Sequence, residues 1–205
     1  MNDKDTFVIV LLGKSATGKD TIERQLLKAA EFNKFVNYTT RPKRDGEEDG
    51  VTYHFVTEEY LKQHSDEVIY KTSYDIIKPN GDKGVWTYAF LNDIQPGKVY
   101  ITTASLTMYA AVKSYFNFNP RVHIKGIYLT VNDEDRLLRA IKRSHDGNYA
   151  EVCRRYLADE EDFSRCKLEE AGIGASDTYV NDNIDTCTEK ILTDLMTWKE
   201  SLIQS

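Results

Sequence analysis

The chain has little of what marks secreted, membrane-spanning or broadly nucleic-acid-binding proteins. Its three cysteines are odd in number and show no metal-ligand spacing, which indicates reduced thiols in a reducing compartment. No apolar run is long enough to span a bilayer, and residues 1–6 lack the basic-then-apolar pattern of a signal peptide. The net charge of −6 disfavours broad nucleic-acid binding. We therefore expect a cytoplasmic protein with no membrane and no nucleic-acid partner.

What is present is enough for one folded unit of the α/β class. Apolar residues make up 40% of the 205 positions, which supports one core with small inserted flaps. Residues 7–12 (FVIVLL) form an unbroken, β-branched-rich run, typical of a strand buried on both faces of a parallel sheet. A glycine-bearing turn and a predicted helix over residues 21–32 follow. This order predicts the first half of a βαβ unit.

The later pattern extends this prediction to a parallel sheet flanked by helices. Residues 99–103 and 124–130 are predicted to be further core strands. Residues 35–94 form shorter pieces, with a strong turn signal over residues 78–84 (KPNGDKG), and predict a small α+β flap. A single long helix is predicted over residues 148–171.

A phosphate-binding loop follows the first predicted strand. The segment fits G-x-x-x-x-G-K, in which glycines let backbone N–H groups converge on a phosphate at the positive end of the next helix. Lys19 can bridge the β- and γ-phosphates of ATP as a point charge. The predicted ATP-binding residues are Gly13, Lys14, Ser15, Ala16, Thr17, Gly18, Lys19, Asp20 and Thr21.

The metal ligand in this loop has two candidates. Asp20 stands where serine or threonine is usual, and the usual hydroxyl binds Mg²⁺. A carboxylate is also a good ligand for hard cations, but its charge faces the phosphates unless the metal lies between them. Thr21, one residue later, could supply a hydroxyl instead. We expect Mg²⁺ as the cofactor, held by Asp20 or Thr21.

A second motif points to an acceptor that carries a phosphate. Arg41 and Arg44 are three residues apart and are followed by Tyr53, and arginine binds phosphate oxygens in bidentate fashion. The surrounding stretch, residues 38–56, closely resembles the T-T-R-x-x-R-x-G-E-x-x-G-x-x-Y-x-F motif of guanylate kinases. The resemblance implies that these three residues hold the acceptor's phosphate and that Glu47 belongs to the acceptor site.

The resemblance to guanylate kinases covers most of the chain. It implies one guanylate kinase-like domain over residues 1–205, with a core (1–34, 95–132 and 172–205), an acceptor flap (35–94) and a helical lid (133–171). It further implies that Arg139, Arg143 and Arg155, together with Lys19, act on the transferring phosphoryl group. Asn181, in the segment Val-Asn-Asp, would lie against the adenine of ATP.

The chain departs from the family where the guanine base is recognised. The family's small polar residue before T-T-R, its flap glutamate and its later aspartate correspond to Asn37, Tyr70 and Ser105. Thr87 corresponds loosely to a hydroxyl residue near the end of the flap. Neutral side chains can still accept hydrogen bonds but lose the charge-assisted part. Two nearby carboxylates, Glu67 and Asp75, could substitute.

Three functions follow from this pattern. The favoured one is a nucleoside monophosphate kinase that transfers the γ-phosphoryl group of ATP to GMP or dGMP. The second is a kinase for another nucleoside or deoxynucleoside monophosphate, because the base-recognising residues differ. The third is a catalytically inactive guanylate kinase-like binding module, weakly supported by Asp20 and by Thr103, where the family has an aspartate. The expected partners are small-molecule nucleotides, and the chain is expected to be a monomer or homodimer.

Overall fold

Two sheets of different character organise the chain, whose computed structural model describes residues 5–77, 82–144, 147 and 149–203. Seven helices and a short 3₁₀ turn (Ala175–Asp177) are described around them. The strands are β1 (Thr6–Leu12), β2 (Asn33–Lys34), β3 (Tyr38–Thr39), β4 (His54–Phe55), β5 (Val68–Ile77), β6 (Lys83–Leu91), β7 (Val99–Thr103), β8 (Val122–Thr130) and β9 (Thr178–Val180). The helices are α1 (Lys19–Ala29), α2 (Glu58–Gln63), α3 (Leu106–Phe116), α4 (Asp133–Arg143), α5 (Tyr149–Asp162), α6 (Arg165–Glu170) and α7 (Ile184–Ile203).

The central sheet has five strands in the order β2-β7-β1-β8-β9, and all neighbouring pairs are parallel. Every residue of β1 is buried. Its side chains alternate between two cores. Val8 and Val10 pack with Tyr109 of α3, whereas Ile9 packs with Ile22 of α1 and with α7. The predicted α/β class, with a parallel sheet flanked by helices, is confirmed.

The second sheet has the order β4-β3-β6-β5 and lies within the stretch predicted as a flap. Strands β5 and β6 are antiparallel, and β5 packs against α3 of the core. Helix α2 starts at a threonine cap, because Thr57 Oγ1 accepts a hydrogen bond from the Tyr60 N–H at 3.1 Å. The flap is therefore joined to the core beside the carboxyl end of β7.

Several element boundaries differ from the sequence prediction. Residues 35–40, which the sequence also predicts as a short strand, do not form one: the chain leaves the central sheet after β2 and enters the second sheet at β3. The predicted turn over residues 78–84 lies partly outside the described residues, and its last two residues belong to β6.

The single helix predicted over residues 148–171 is wrong. Residue 148 lies outside the described residues, and the rest forms two helices that are separated after Asp162. Phe163 turns into the core, where its ring stacks on Tyr128 with 5.7 Å between centroids. Ser164 then takes an extended conformation (ψ 152°), which ends the first helix. Burial of one aromatic ring thus breaks the helix.

The helices were compared with the length and composition of membrane spans. Among the described residues, none of the helices has both the length and the apolar composition that crossing a bilayer requires.

Candidate active site

The loop after β1 has the backbone geometry of a phosphate cradle. Gly13 and Gly18 have φ values of 149° and 93°, and Ala16 has a φ of 65°. A Cβ atom at Gly13 would lie 2.5 Å from the carbonyl oxygen of Leu129, and one at Gly18 would lie 2.4 Å from Asn181 Nδ2. Both positions therefore require glycine for conformational and steric reasons. The loop leads directly into α1, so its N–H groups and the helix N-terminus converge.

Lys19 is the first residue of α1 and folds back over this loop. Its Nζ donates hydrogen bonds to the carbonyl oxygens of Gly13 at 2.6 Å and of Lys14 at 2.9 Å. Burial lowers the pKa of Lys19, while the carboxylates of Asp20 and Asp159 act in the opposite direction. The ammonium group is thus fixed above the loop, at the border of the cavities described below.

Asn181 supports the loop from behind. Only 1% of its surface is exposed, and its Nδ2 donates to the carbonyl oxygen of Thr17 at 2.8 Å. Thr17 is itself buried, and its Oγ1 donates to the Lys14 carbonyl oxygen at 2.9 Å. The amide nitrogen of Asn181 thus holds loop backbone from beneath the loop, and the contact of Asn181 with adenine stays a prediction.

A cavity of about 420 Å³ separates the loop from α4 and α5. Two of the three predicted lid arginines, Arg143 and Arg155, line it together with Lys19. Arg139 lies on α4 but does not line this cavity. Arg155 Nε donates to Glu151 Oε1 at 2.7 Å. Hydrogen bonds from Arg154 and, second, from Arg155 lower the pKa of Glu151 to about 2. Two cations of the lid therefore face the loop lysine.

Helix α5, part of the predicted lid, is attached to the loop by two contacts that sequence reasoning missed. Lys14 Nζ pairs with Glu160 Oε2 at 2.5 Å, and the backbone N–H of Ser15 donates to Asp159 Oδ2 at 2.7 Å. Both acids lie on α5. The structure thus holds an acidic side chain against an N–H group of the phosphate loop, where the positive end of α1 favours negative charge.

Arg136 organises these acids and was also missed. It is 1% exposed, contacts Asp159 at 3.5 Å, pairs with Glu160, and lies 3.9 Å from the ring centroid of Tyr156. Its spacing from Arg139 on α4 could have suggested a shared helix face. Asp133, three residues earlier on α4, also pairs with Arg136 at 3.1 Å. Asp159 and Glu160 come from another helix, and no local signal in the sequence indicates their pairing with Arg136.

On the acceptor side, Arg41 is already positioned by Glu47. The guanidinium group is 3% exposed and forms a bidentate pair with the carboxylate, at 2.9 and 2.7 Å. This contact raises the pKa of Arg41 and lowers the pKa of Glu47. Glu47 also accepts the Arg44 N–H at 2.8 Å, and Arg41 lies 5.5 Å from the ring of Tyr53. Glu47 therefore orients the Arg41 side chain and binds the Arg44 backbone, while the Arg44 side chain is exposed.

A second cavity, of about 270 Å³, lies between the flap sheet and the start of α3. It brings together four predicted acceptor residues with the loop lysine. These are Asn37, Tyr53, Tyr70 and Ser105, with Lys19. Seven further residues, which are not among the predicted acceptor residues, line it: Thr72, Tyr74, Tyr88, Ala89, Thr103, Ala104 and Met108. The period-two alternation of β5 and β6 is the signal that could have found the first three.

Thr87, which was predicted as an acceptor residue, lies outside this cavity. Thr87 is 2% exposed and its Oγ1 donates to Glu58 Oε1 at 2.6 Å, so it does not line this cavity. Its neighbour Tyr88 on β6 faces the cavity instead. The candidate carboxylates Glu67 and Asp75 do not line it either.

Both candidate metal ligands lie at the loop. Asp20 and Thr21 line a cavity of about 280 Å³ together with Lys19 and Arg143. Within the described ranges, no group of three or more His, Cys, Asp and Glu side chains could hold a metal ion. Mg²⁺ usually takes only one or two protein ligands and completes its shell with phosphate oxygens and water. The oxygens of Asp20 and Thr21 beside a phosphate cradle fit such an ion.

The parallel sheet and the strand–loop–helix unit at its centre define the class: this is an α/β protein of the P-loop NTPase type. Within that class, residues 5–71 match the family model described as guanylate kinase. The chain is also 26% identical over 141 residues to a guanylate kinase of Helicobacter hepaticus, which covers 68% of each chain.

A second relative has a higher sequence identity to this chain, but over a shorter stretch. The chain is 50% identical over 60 residues to a guanylate kinase of Nitratidesulfovibrio vulgaris, and this stretch spans 28% of each chain. The fold matches that of a guanylate kinase crystal structure from Anaplasma phagocytophilum with a TM-score of 0.62 and 17% identity, covering 95% of this chain and 86% of the other. The resemblance to the guanylate kinase family is thus confirmed.

Proposed function

We propose that this chain is a nucleoside monophosphate kinase that transfers the γ-phosphoryl group of ATP to GMP or dGMP. The observation that carries the proposal is the position of Lys19, which borders both the cavity beneath the lid and the cavity of the acceptor residues. A donor phosphate on the loop would therefore meet an acceptor phosphate held by the flap. The relatives named guanylate kinase support the choice of acceptor.

The reaction needs no protein nucleophile. An acceptor monophosphate is largely a dianion at pH 7, so its oxygen can attack the γ-phosphorus directly without a general base. Arg41, with Arg44 and Tyr53, would hold the acceptor phosphate, and Glu47 would fix the orientation of Arg41. Charge that spreads over the transferring oxygens would be stabilised by cations of the loop and lid: Lys19, Arg143 and Arg155. Arg139 would join them when the lid moves.

The division into core, flap (35–94) and lid (133–171) fits this mechanism. Closure of the flap and the lid over the bound nucleotides would exclude water, which otherwise hydrolyses ATP. We further propose a cytoplasmic location and a monomeric or homodimeric state. Mg²⁺, when bound at Asp20 or Thr21, would neutralise phosphate charge and orient the β- and γ-phosphates.

The test of the function is an assay with defined products. The protein is incubated with ATP, MgCl₂ and one monophosphate at a time, and ADP and nucleoside diphosphate are separated by anion-exchange chromatography. We expect the two products in equal amounts with GMP or dGMP. Absence of turnover with every common monophosphate would contradict the proposal and favour the binding module.

Asp20→Asn is expected to raise the Mg²⁺ concentration for half-maximal activity by about tenfold or more, since a carboxylate binds Mg²⁺ better than an amide. The measurement is a Mg²⁺ titration of turnover, together with the Mg²⁺-dependent rise in melting temperature at saturating ADP. Asp66→Asn, an exposed acid of the flap, serves as the matched control. Unchanged Mg²⁺ dependence in Asp20→Asn would assign the ligand to Thr21.

A further inference from the structure

Two carboxylates of the lid lie on donors of the phosphate loop. The Ser15 N–H donates to Asp159 Oδ2 at 2.7 Å, and Lys14 Nζ pairs with Glu160 Oε2 at 2.5 Å. Both acids lie in the last turn of α5, where they face the negative end of the helix dipole, so the stability of α5 alone does not favour them there. The two acids thus use loop donors that an anionic ligand would also use.

The negative charge of Asp159 lies within electrostatic reach of the loop lysine. Asp159 lines the same cavity as Lys19 and the lid arginine Arg155. Burial lowers the pKa of Lys19, and the carboxylates of Asp20 and Asp159 act in the opposite direction. Only 15% of the Asp159 side chain is exposed, so solvent ions screen its charge weakly. A polyphosphate on the loop would therefore meet a like charge at short range.

Arg136 gives both carboxylates a second partner that does not belong to the loop. Its guanidinium group is buried, lies 3.5 Å from Asp159 Oδ2, and also pairs with Glu160 and, at 3.1 Å, with Asp133. Because buried charges require partners, α4 holds these acids on the lid whether or not they contact the loop. The loop contacts can therefore break without leaving a buried charge unpaired, and the Ser15 N–H would then pass to a phosphate oxygen.

We propose, building on the function above, that Asp159 and Glu160 form an autoinhibitory latch on the phosphate loop. In the latched arrangement, α5 competes with the phosphates of ATP for the Ser15 N–H and for the ammonium group of Lys14. Binding of ATP breaks both contacts, and Arg136 retains the released acids. The latch lowers the affinity for ATP and couples the arrival of phosphate on the loop to movement of the lid helix.

The test measures the binding of two probes by calorimetry: inorganic tripolyphosphate without added metal, and a non-hydrolysable ATP analogue with MgCl₂. Asp159→Asn keeps the shape of the side chain and an oxygen that can accept the Ser15 N–H, but it removes the charge. We expect the variant to bind both probes about tenfold more tightly, because a neutral hydrogen bond competes less well than a charge-assisted one. The affinity for GMP, the ligand proposed for the flap, should change by less than about twofold.

Two further variants complete the design. Asp162→Asn is the matched control, because Asp162 lies in the same turn of α5, its side chain is 69% exposed, and its ion pair, at 4.0 Å, is with Lys167 and not with the loop. Its affinities should equal those of the parent. Glu160→Gln releases Lys14 from a carboxylate that is 41% exposed and should tighten tripolyphosphate binding by about threefold, the effect of one partly exposed ion pair. Melting curves verify folding, and Glu160→Gln decides the question if Asp159→Asn does not fold.

The outcomes separate failure of the latch from failure of the proposed function. Parental affinity for tripolyphosphate in a folded Asp159→Asn protein would overturn the latch, and so would weaker binding, which would mean that the acid supports the loop while phosphates are bound. Absence of tripolyphosphate binding in the parent and in every variant would overturn it as well. Tighter binding in the variant without turnover of any monophosphate would uphold the latch and contradict the kinase, whereas turnover with parental affinities would do the reverse.

Discussion

Lys19→Met is expected to lower phosphotransfer by about 10³-fold, the cost of losing one preorganised charged donor at a developing charge. The Nζ atom is held 2.6 and 2.9 Å from two loop carbonyl oxygens, so it needs little reorganisation when a phosphate arrives. Burial already lowers the pKa of this ammonium, so its charge is poorly solvated and available for a phosphate. Methionine keeps an unbranched side chain of similar size and removes the charge together with its N–H donors.

The measurement is kcat at saturating acceptor, together with the affinity for a non-hydrolysable ATP analogue. Lys28→Met, an exposed lysine in the last turn of the same helix, provides the control and should retain parental activity. A Lys19→Met protein that is folded and retains more than a tenth of the parental kcat would show that this lysine does not act on the transferring group.

The phosphate loop could be predicted from sequence because its chemistry is local. Gly13, Gly18 and Lys19 lie within seven residues, and the strand before them and the helix after them are strongly patterned. Arg41 and Glu47 could be predicted as members of one site for the same reason, since they are six residues apart and bond to each other directly. In both places the residues that make the site are neighbours in the chain.

The sequence prediction and the structure differ where the direction of a side chain depends on strand register or on the residues that surround the loop. A shift of one residue along a strand moves a side chain to the other face, and Thr87 was predicted where Tyr88 lines the cavity. Asn181 was assigned to the base of ATP, but the curvature of the loop brings the Thr17 carbonyl within 2.8 Å of it. Such contacts depend on the folded backbone and leave no pattern in the sequence.

The burial of Arg136 in the predicted lid is a further feature that could not be predicted from sequence. Arg136 is among the largest fully buried side chains of the described residues, but in the sequence it is one arginine of a charged helix. Its burial depends on Asp159 and Glu160 from α5, more than twenty positions later. Because buried charges require partners, the cluster is a unit that only tertiary structure reveals. The break at Phe163 has the same origin.

Arg41→Lys is expected to lower kcat/KM for the acceptor by about 10²-fold while leaving the affinity for ATP unchanged. A planar guanidinium group can pair with Glu47 in bidentate fashion and present further N–H groups to a phosphate, whereas an ammonium group cannot do both. The loss corresponds to one or two charge-assisted hydrogen bonds. The measurement is acceptor kinetics at saturating ATP, with a melting curve to verify folding.

Glu47→Gln extends the Arg41 experiment, because it keeps the shape of the partner and removes its charge. If the carboxylate acts by orienting Arg41, this variant should lose activity in the same direction but by less, and the Arg41→Lys, Glu47→Gln double variant should lose less than the product of the two single effects. Arg121→Lys, an exposed arginine paired with Asp5, is the control for the arginine replacement itself. If the two single effects multiply in the double variant, Glu47 and Arg41 act independently. Glu47 would then contact the acceptor directly, as the sequence motif alone suggested, and its bond to Arg41 would be broken when the nucleotide binds.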